Sequence, residues 1–313
     1  MEFPYTFPQD RRYDVAGFGT NAVDYLIRVP NYPEFGSKVE LTEYSQAAGG
    51  EVATTMVGLA RLGLKTAYAG RFGDDAAGDF GVQTLADEGV DISHAERIAG
   101  AGTQIAFIVI DGTSGERTVI WQRDAKLAFT RDEAPLSLVR DARVLHLTPH
   151  DTAACLAMAQ AAKAAGTIVS IDIDNVFDGV EEVLQNVDIL IASSEFPERF
   201  LGISDPRTAL SEMRARFGCG IVGVTLGANG ALLLGPDGQF VESAGFEVPG
   251  GCRDTTGAGD AFRVGLLQGF FRRESIADAA RRANAVAALK CRAVGARTAL
   301  PDPDELQAFL ENS

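Results

Sequence analysis

Seven short runs of this chain are apolar at nearly every position: YDVAGFG (13–19), KTAYAG (65–70), RVLHLT (143–148), TIVSIDI (167–173), VDILIA (187–192), GIVGVTL (220–226) and GALLLG (230–235). Near-continuous apolar runs of this length predict strands buried on both faces. Between many of them lie Ala- and Leu-rich segments with helical period, at 51–62, 77–88, 152–165 and 207–217. Strands alternating with helices in this way predict an α/β protein, a parallel sheet covered by helices on both faces. The chain beyond Asp260 reads as almost wholly helical.

Two segments break the rhythm. Residues 25–45 and 103–124 alternate apolar with polar positions, and the turn residues Asp111-Gly112-Thr113-Ser114-Gly115 separate FIVI from RTVIW. A hairpin and a companion strand pair follow, in a small antiparallel sheet. Such a sheet is expected to form a lid over the carboxyl ends of the parallel strands, where ligands of open α/β sheets bind. The chain then divides into a discontinuous core (13–24, 46–102 and 125–313), a β lid (25–45 and 103–124) and an N-terminal tail (1–12).

The formal net charge of -15 argues against a broad nucleic-acid footprint, which needs a basic face. It leaves room for a phosphate ligand held by backbone N–H groups. Cys155, Cys219, Cys252 and Cys291 lie far apart without a C-x-x-C pair, as expected of reduced thiols in a cytoplasmic protein. The stretch MEFPYTFPQDRR lacks the apolar region of a signal peptide, and no apolar run approaches the ~18 residues of a membrane helix.

The densest chemistry is DTTGAGDAF, Asp254 to Phe262. Small residues at Gly257, Ala258 and Gly259 let the backbone approach a ligand closely, just where a helix begins and its first N–H groups lack partners. With the dipole of the following apolar helix, this turn is an anion site suited to phosphate. An acid inside an anion site is unfavourable unless it has work there. Asp260 can accept the proton of an attacking hydroxyl while the turn holds the transferring phosphoryl group.

This nonapeptide, followed by Val264-Gly265, resembles the C-terminal signature of the ribokinase-like (PfkB) carbohydrate kinases. The segments Gly49-Gly50-Glu51-Val52-Ala53-Thr54, Leu59-Ala60-Arg61-Leu62-Gly63 and Gly70-Arg71-Phe72-Gly73-Asp74-Asp75 resemble their N-terminal signature. Val224-Thr225-Leu226-Gly227-Ala228-Asn229-Gly230 resembles their nucleotide-side loop, and the likeness spans about residues 13 to 310. It implies a ribokinase-like three-layer α/β fold with a small antiparallel β lid. It also implies an ATP-dependent kinase with Asp260 as base and the amides of Gly257, Ala258 and Gly259 as anion hole. Thr225, Gly227, Gly230 and Asn284 would lie near the nucleotide, and Asp24, Gly49, Gly50 and Thr54 near the acceptor. Asp254 and Thr256, with carbonyls near Gly295, would border a potassium site, and Glu195 would serve magnesium. The likeness also leaves room for a homodimer through the lid.

Departures bear on the acceptor. Thr54 stands where family members usually carry Asn, and one hydroxyl cannot replace an amide's donor and acceptor pair. Ala192-Ser193-Ser194-Glu195 blurs the usual N-x-x-E, and Asp172-Ile173-Asp174-Asn175-Val176 replaces the D-x-N-x-R of many relatives. Arg123 is expected to aim a bidentate donor at the acceptor or its phosphate, or else to pair with Asp124. Trp121 and Phe107 would give apolar cover without a second aromatic to sandwich a base. His150, Asp172 and Asp174 would add hydroxyl contacts, whereas His146 reads as a core histidine. Gly17-Phe18-Gly19-Thr20-Asn21-Ala22 mimics a dinucleotide fingerprint, but Pro30 and Pro33 follow within a strand-like stretch where a helix should open. The reading is a kinase of a hydroxymethyl oxygen on a small sugar, ketose or pentose. A nucleoside kinase and a catalytically idle ligand-binding regulator are the alternatives.

Overall fold

The computed structural model describes residues 1–114 and 116–313. Gly115, the last residue of the turn read above, lies outside the described residues. Thirteen strands occur in chain order: β1 (Tyr13–Phe18), β2 (Ala22–Val29), β3 (Glu43–Gly49), β4 (Thr66–Gly73), β5 (Asp91–Ile98), β6 (Ile105–Asp111), β7 (Arg117–Gln122), β8 (Ala142–Leu147), β9 (Ile168–Ile173), β10 (Ile189–Ser193), β11 (Ile221–Thr225), β12 (Ala231–Leu234) and β13 (Phe240–Ser243). Nine of them form one sheet in the order β13-β12-β11-β10-β9-β8-β1-β4-β5. Seven run parallel from β11 to β5, and β12 followed by the edge strand β13 adds antiparallel.

The near-continuous apolar strands are explained by two separate cores. Ala16, Leu145 and Leu147 point to a layer with Met158, Ala159, Leu210 and Phe217 from helices Thr152–Ala165 and Pro206–Phe217. Val15 and Val144, one position away, point to the opposite layer with Val52, Met56, Phe262, Val264 and Val286. That second layer is built by helices Glu51–Arg61, Ala258–Phe271 and Ile276–Lys290. Successive strand residues alternate faces, so both must be apolar when both faces are covered.

The lid is a separate sheet in the order β3-β2-β6-β7. Its β2–β3 and β6–β7 pairs are antiparallel, and its central β2–β6 pair is parallel. The parallel pair follows from connectivity. No tight turn joins β2 to β6: β3, β4, β5 and two helices intervene, so nothing forces opposed directions. Residues 1–12 hold no regular element but dock on the core. Phe3 and Phe7 pack on Phe270, Phe7 stacks on Phe271 at 4.3 Å, and the Met1 carbonyl accepts the Ile276 N–H at 2.8 Å.

Candidate active site

A cavity of about 600 Å³ lies between the carboxyl ends of the parallel strands and the inner face of the lid. Its far end is lined by Thr225 and Glu195, its middle by Gly257, Gly259, Asp260 and Asp172, and its near end by Asp24, Gly50, Trp121 and His150. The lid leans onto the core here. The Arg117 guanidinium, on β7, donates to Thr255 Oγ1 within the nonapeptide.

The glycine turn is set by sterics. Gly257 precedes helix Ala258–Phe271 with φ of 77°, and a Cβ there would come within 2.9 Å of the Ala296 side chain. Gly257 and Gly259 line the cavity at the helix N-terminus, where unpaired amides and the dipole favour an anion. Ala258 does not line it, and its N–H donates to Thr255 O at 3.1 Å. Thr256 lines it with a buried Oγ1 that has no partner.

Asp260 is buried in the first turn of that helix. Burial holds its carboxyl well above the usual carboxylate range, the charge of Asp172 pushes it further, and Arg263 and Arg297 oppose. Asp172 is pushed up to about 6, chiefly by burial and then by Asp174, against Arg263 and a hydrogen bond with Asp260. Arg263 pairs with Asp172 at 2.5 Å and donates to Ile191 O at 3.0 Å. Glu51 joins the cluster, raised by burial and by Asp174, Asp172 and Asp260. Its Oε2 and the Nδ1 of His150 lie 3.7 Å apart, and neither has a hydrogen-bond partner.

At the near end, Asp24 lies across Gly49 so closely that a Cβ there would come within 2.0 Å of its Oδ2. Gly50 (φ 87°) turns the chain into helix Glu51–Arg61, where a Cβ would meet the Asn21 backbone at 2.3 Å. Burial raises Asp24 to about 6, with Asp254 adding and Arg297 opposing. Arg297 sits beneath, donating to Gly49 O and to Thr54 Oγ1, and burial lowers its pKa to about 10. Thr54 is fully buried and supports Arg297 without lining the cavity. Arg123 also stands outside the lining. Its fork holds Asp151 at 2.9 and 2.7 Å, and it donates to Leu127 O at 3.0 Å.

The aromatic lining differs from the sequence expectation. Phe107 faces away from the cavity, because it pairs with Ile120 whereas Ala106 pairs with Trp121, and neighbouring positions alternate faces. Phe177 takes its place, 4.9 Å from His150, which lies 6.5 Å edge-on from Trp121. His146 is a core residue 3.2 Å from Ser170 Oγ. Gly17 and Gly19 pack under Val52, and the chain after them enters β2 rather than a helix, so the dinucleotide fingerprint has no structural support.

Beyond Thr225 at the far end, Gly227 and Gly230 shape the turn between β11 and β12, and Leu226 N–H donates to Gly230 O at 2.7 Å. The Asn284 amide is taken up by Ser243 O, Ser243 Oγ and Ala244 O, holding the loop after β13. Asp254 lies under the anion turn, fully buried. Its Oδ1 accepts Thr256 N–H and its Oδ2 accepts Gly295 N–H, both at 2.8 Å. The buried cations Arg263, Arg297 and Lys290 escaped the sequence reading. Arg263 and Lys290 stand in apolar or small-residue helical runs and Arg297 follows Gly295-Ala296, at most a weak signal of burial.

Residues 14–303 match the family described as pfkB family carbohydrate kinase. The chain belongs to that family. It is a kinase, a phosphotransferase acting on an alcohol group. A nucleoside kinase of Methanothermobacter thermautotrophicus is 26% identical over 93% of this chain and 94% of that protein. A fructokinase of Klebsiella pneumoniae is 32% identical over 85% of this chain and 92% of that protein. The structure of Arabidopsis thaliana ribokinase complexed with ribose and ATP superposes with a TM-score of 0.83 at 24% identity, covering 96% of this chain and 99% of that one. The pfkB kinase fold thus carries relatives with different acceptors.

Proposed function

We propose that this pfkB kinase transfers the γ-phosphoryl group of ATP to a hydroxymethyl oxygen of a small sugar, a ketose or a pentose. One observation carries the reading. A single cavity joins Asp24 and Gly50, suited to ring hydroxyls, to Asp260 at the mouth of the Gly257–Gly259 turn, and ends at Thr225. Asp260 takes the proton of the attacking hydroxyl, and the turn amides with Thr256 Oγ1 meet the charge of the phosphoryl group. Thr225, Gly227 and Gly230 border the adenine nucleotide, with Asn284 fixing the adjoining loop. The core supplies these groups apart from Asp24, which lid strand β2 carries, and the lid closes the acceptor end.

Magnesium bound with ATP would neutralise phosphate charge, and Glu195 would help hold it. Among the described residues no group of three metal-ligating side chains exists, which suits an ion held mainly by phosphates and water with one carboxylate. Glu195 fits that role. It lines the cavity and is kept below the usual carboxylate range first by a hydrogen bond from Ser194. The free cysteines Cys155, Cys219, Cys252 and Cys291 support a reducing, cytoplasmic setting. Exposed Phe107, Ile120 and Tyr44 on the outer face of the lid support pairing of two copies through it.

A second reading, a nucleoside as acceptor, is favoured by Trp121, His150 and Phe177 around one end of the cavity, where a planar base could stack. An ADP-release screen over ketoses, pentoses and nucleosides separates the two. Asp260→Asn should lower turnover by at least ~10²-fold while ATP still binds. Near-wild-type turnover by that variant would remove Asp260 as the base, and ADP release from nucleosides alone would establish the second reading.

A further inference from the structure

Helix Ile276–Lys290 ends by carrying an ammonium into the interior. Lys290 is 0% exposed, and its Nζ donates to the Asp254 carbonyl at 2.8 Å and lies 3.9 Å from the Asp254 carboxylate. This is the place where likeness to the family implies potassium. The residues do not fit that ion. Asp254 is the carboxylate that faces Lys290, and Arg117 of the lid adds a second positive charge. A potassium ion would bring a further positive charge beside one carboxylate that already faces an ammonium. The helix C-terminus, a natural seat for a cation, is likewise occupied by its own last residue.

What the charge must hold is visible. The Asp254 carboxylate ties the Thr256 N–H to the Gly295 N–H, fastening the anion turn to the loop that carries Ala296 and Arg297. Val294 of that loop packs on the lid core of Leu26, Ala106, Ile108 and Ile110. A positive charge on Asp254 therefore steadies turn, loop and lid together.

We propose that the Lys290 ammonium does the work of the monovalent cation in this chain, so that the kinase runs without potassium. The proposal rests on the kinase reading above. Lys290 is a positioning residue, acting on the phosphoryl group through Asp254 and the turn.

The test uses the purified full chain with ATP and with D-ribose, D-fructose or adenosine as acceptor, in potassium, sodium or tetramethylammonium chloride at matched ionic strength. The wild-type rate of ADP release is expected to be the same in all three salts. Lys290→Ala removes the ammonium and leaves a pocket, so its turnover in tetramethylammonium should fall by ~10²-fold as the turn loses its position. Potassium should then restore at least ~10-fold of it and raise the variant's Tm by several degrees, while leaving the wild-type Tm unchanged, as expected when an ion binds the folded state alone. Lys290→Met, which keeps the packing without the charge, should lose activity with little rescue. Stimulation of the wild-type enzyme by potassium, or a Lys290→Ala variant as active as wild type in tetramethylammonium, overturns the proposal. If the variants fail to fold, the wild-type salt comparison decides alone. The Tm arm needs no turnover, so a chain inactive on all three acceptors would defeat the proposed acceptor readings without touching the ion test.

Discussion

Asp260, the proposed base, lies beside a second carboxylate, and that neighbour adds to the effect of burial on its pH behaviour. A general base must be ionised, so kcat/KM should fall as pH drops through the range where Asp260 and Asp172 take up protons. Both are raised, Asp172 to about 6 and Asp260 in the same direction by burial and by Asp172 itself. The acid limb is therefore expected well above the ordinary carboxylate range, and its midpoint belongs to the pair. Asp172→Asn removes the like charge and frees Arg263 to face Asp260, so the limb should move toward lower pH by about one unit. A pH–rate profile measures this, and an unmoved limb would mean that Asp172 does not tune the base. The nonapeptide exposed Asp260 and the turn in the sequence. It did not expose Arg263, because one arginine in AFRVGLL is only a weak sign of burial until the helix is seen buried all round.

The elements with long apolar runs or steady helical period were legible, since tertiary packing reinforced their local pattern. The runs at 143–148 and 167–173 became β8 and β9 almost unchanged. β5 (DISHAERI) was not legible: it is an edge strand with mostly half-exposed positions, so burial wrote no apolar run into it. The lid was legible as alternation but not as faces. Residue Phe107 looked like a pocket aromatic until register placed it opposite Ile120, on the outer surface. That outer surface carries the pairing prediction. Ile120→Lys puts a charge in the middle of it without touching the cavity wall formed by Val119 and Trp121. Sedimentation equilibrium should show a wild-type dimer and a monomeric variant that keeps its turnover. A monomeric wild type would dismiss pairing through the lid.

At the scale of the whole molecule, the sheet gathers acids that lie far apart in sequence. Glu51 starts a helix after β3, Asp172 sits on β9 and Asp260 starts helix Ala258–Phe271, yet all three meet in one cavity. No spacing rule in the sequence could bring Glu51 there, because its approach depends on how the lid strands return to the core. Burial first, and then mutual repulsion, holds all three carboxyls above the usual carboxylate range. Entry of an anionic nucleotide raises them further, so ATP binding should take up protons. Calorimetry at pH 7 in phosphate and in Tris, buffers with different heats of ionisation, should then give different apparent heats, with uptake of about one proton per ATP. Equal heats in both would show the cluster to be already fully charged or fully neutral. A proton taken up on Asp260 must leave before the acceptor's hydroxyl proton can be received there, so acidity itself is expected to brake phosphorylation.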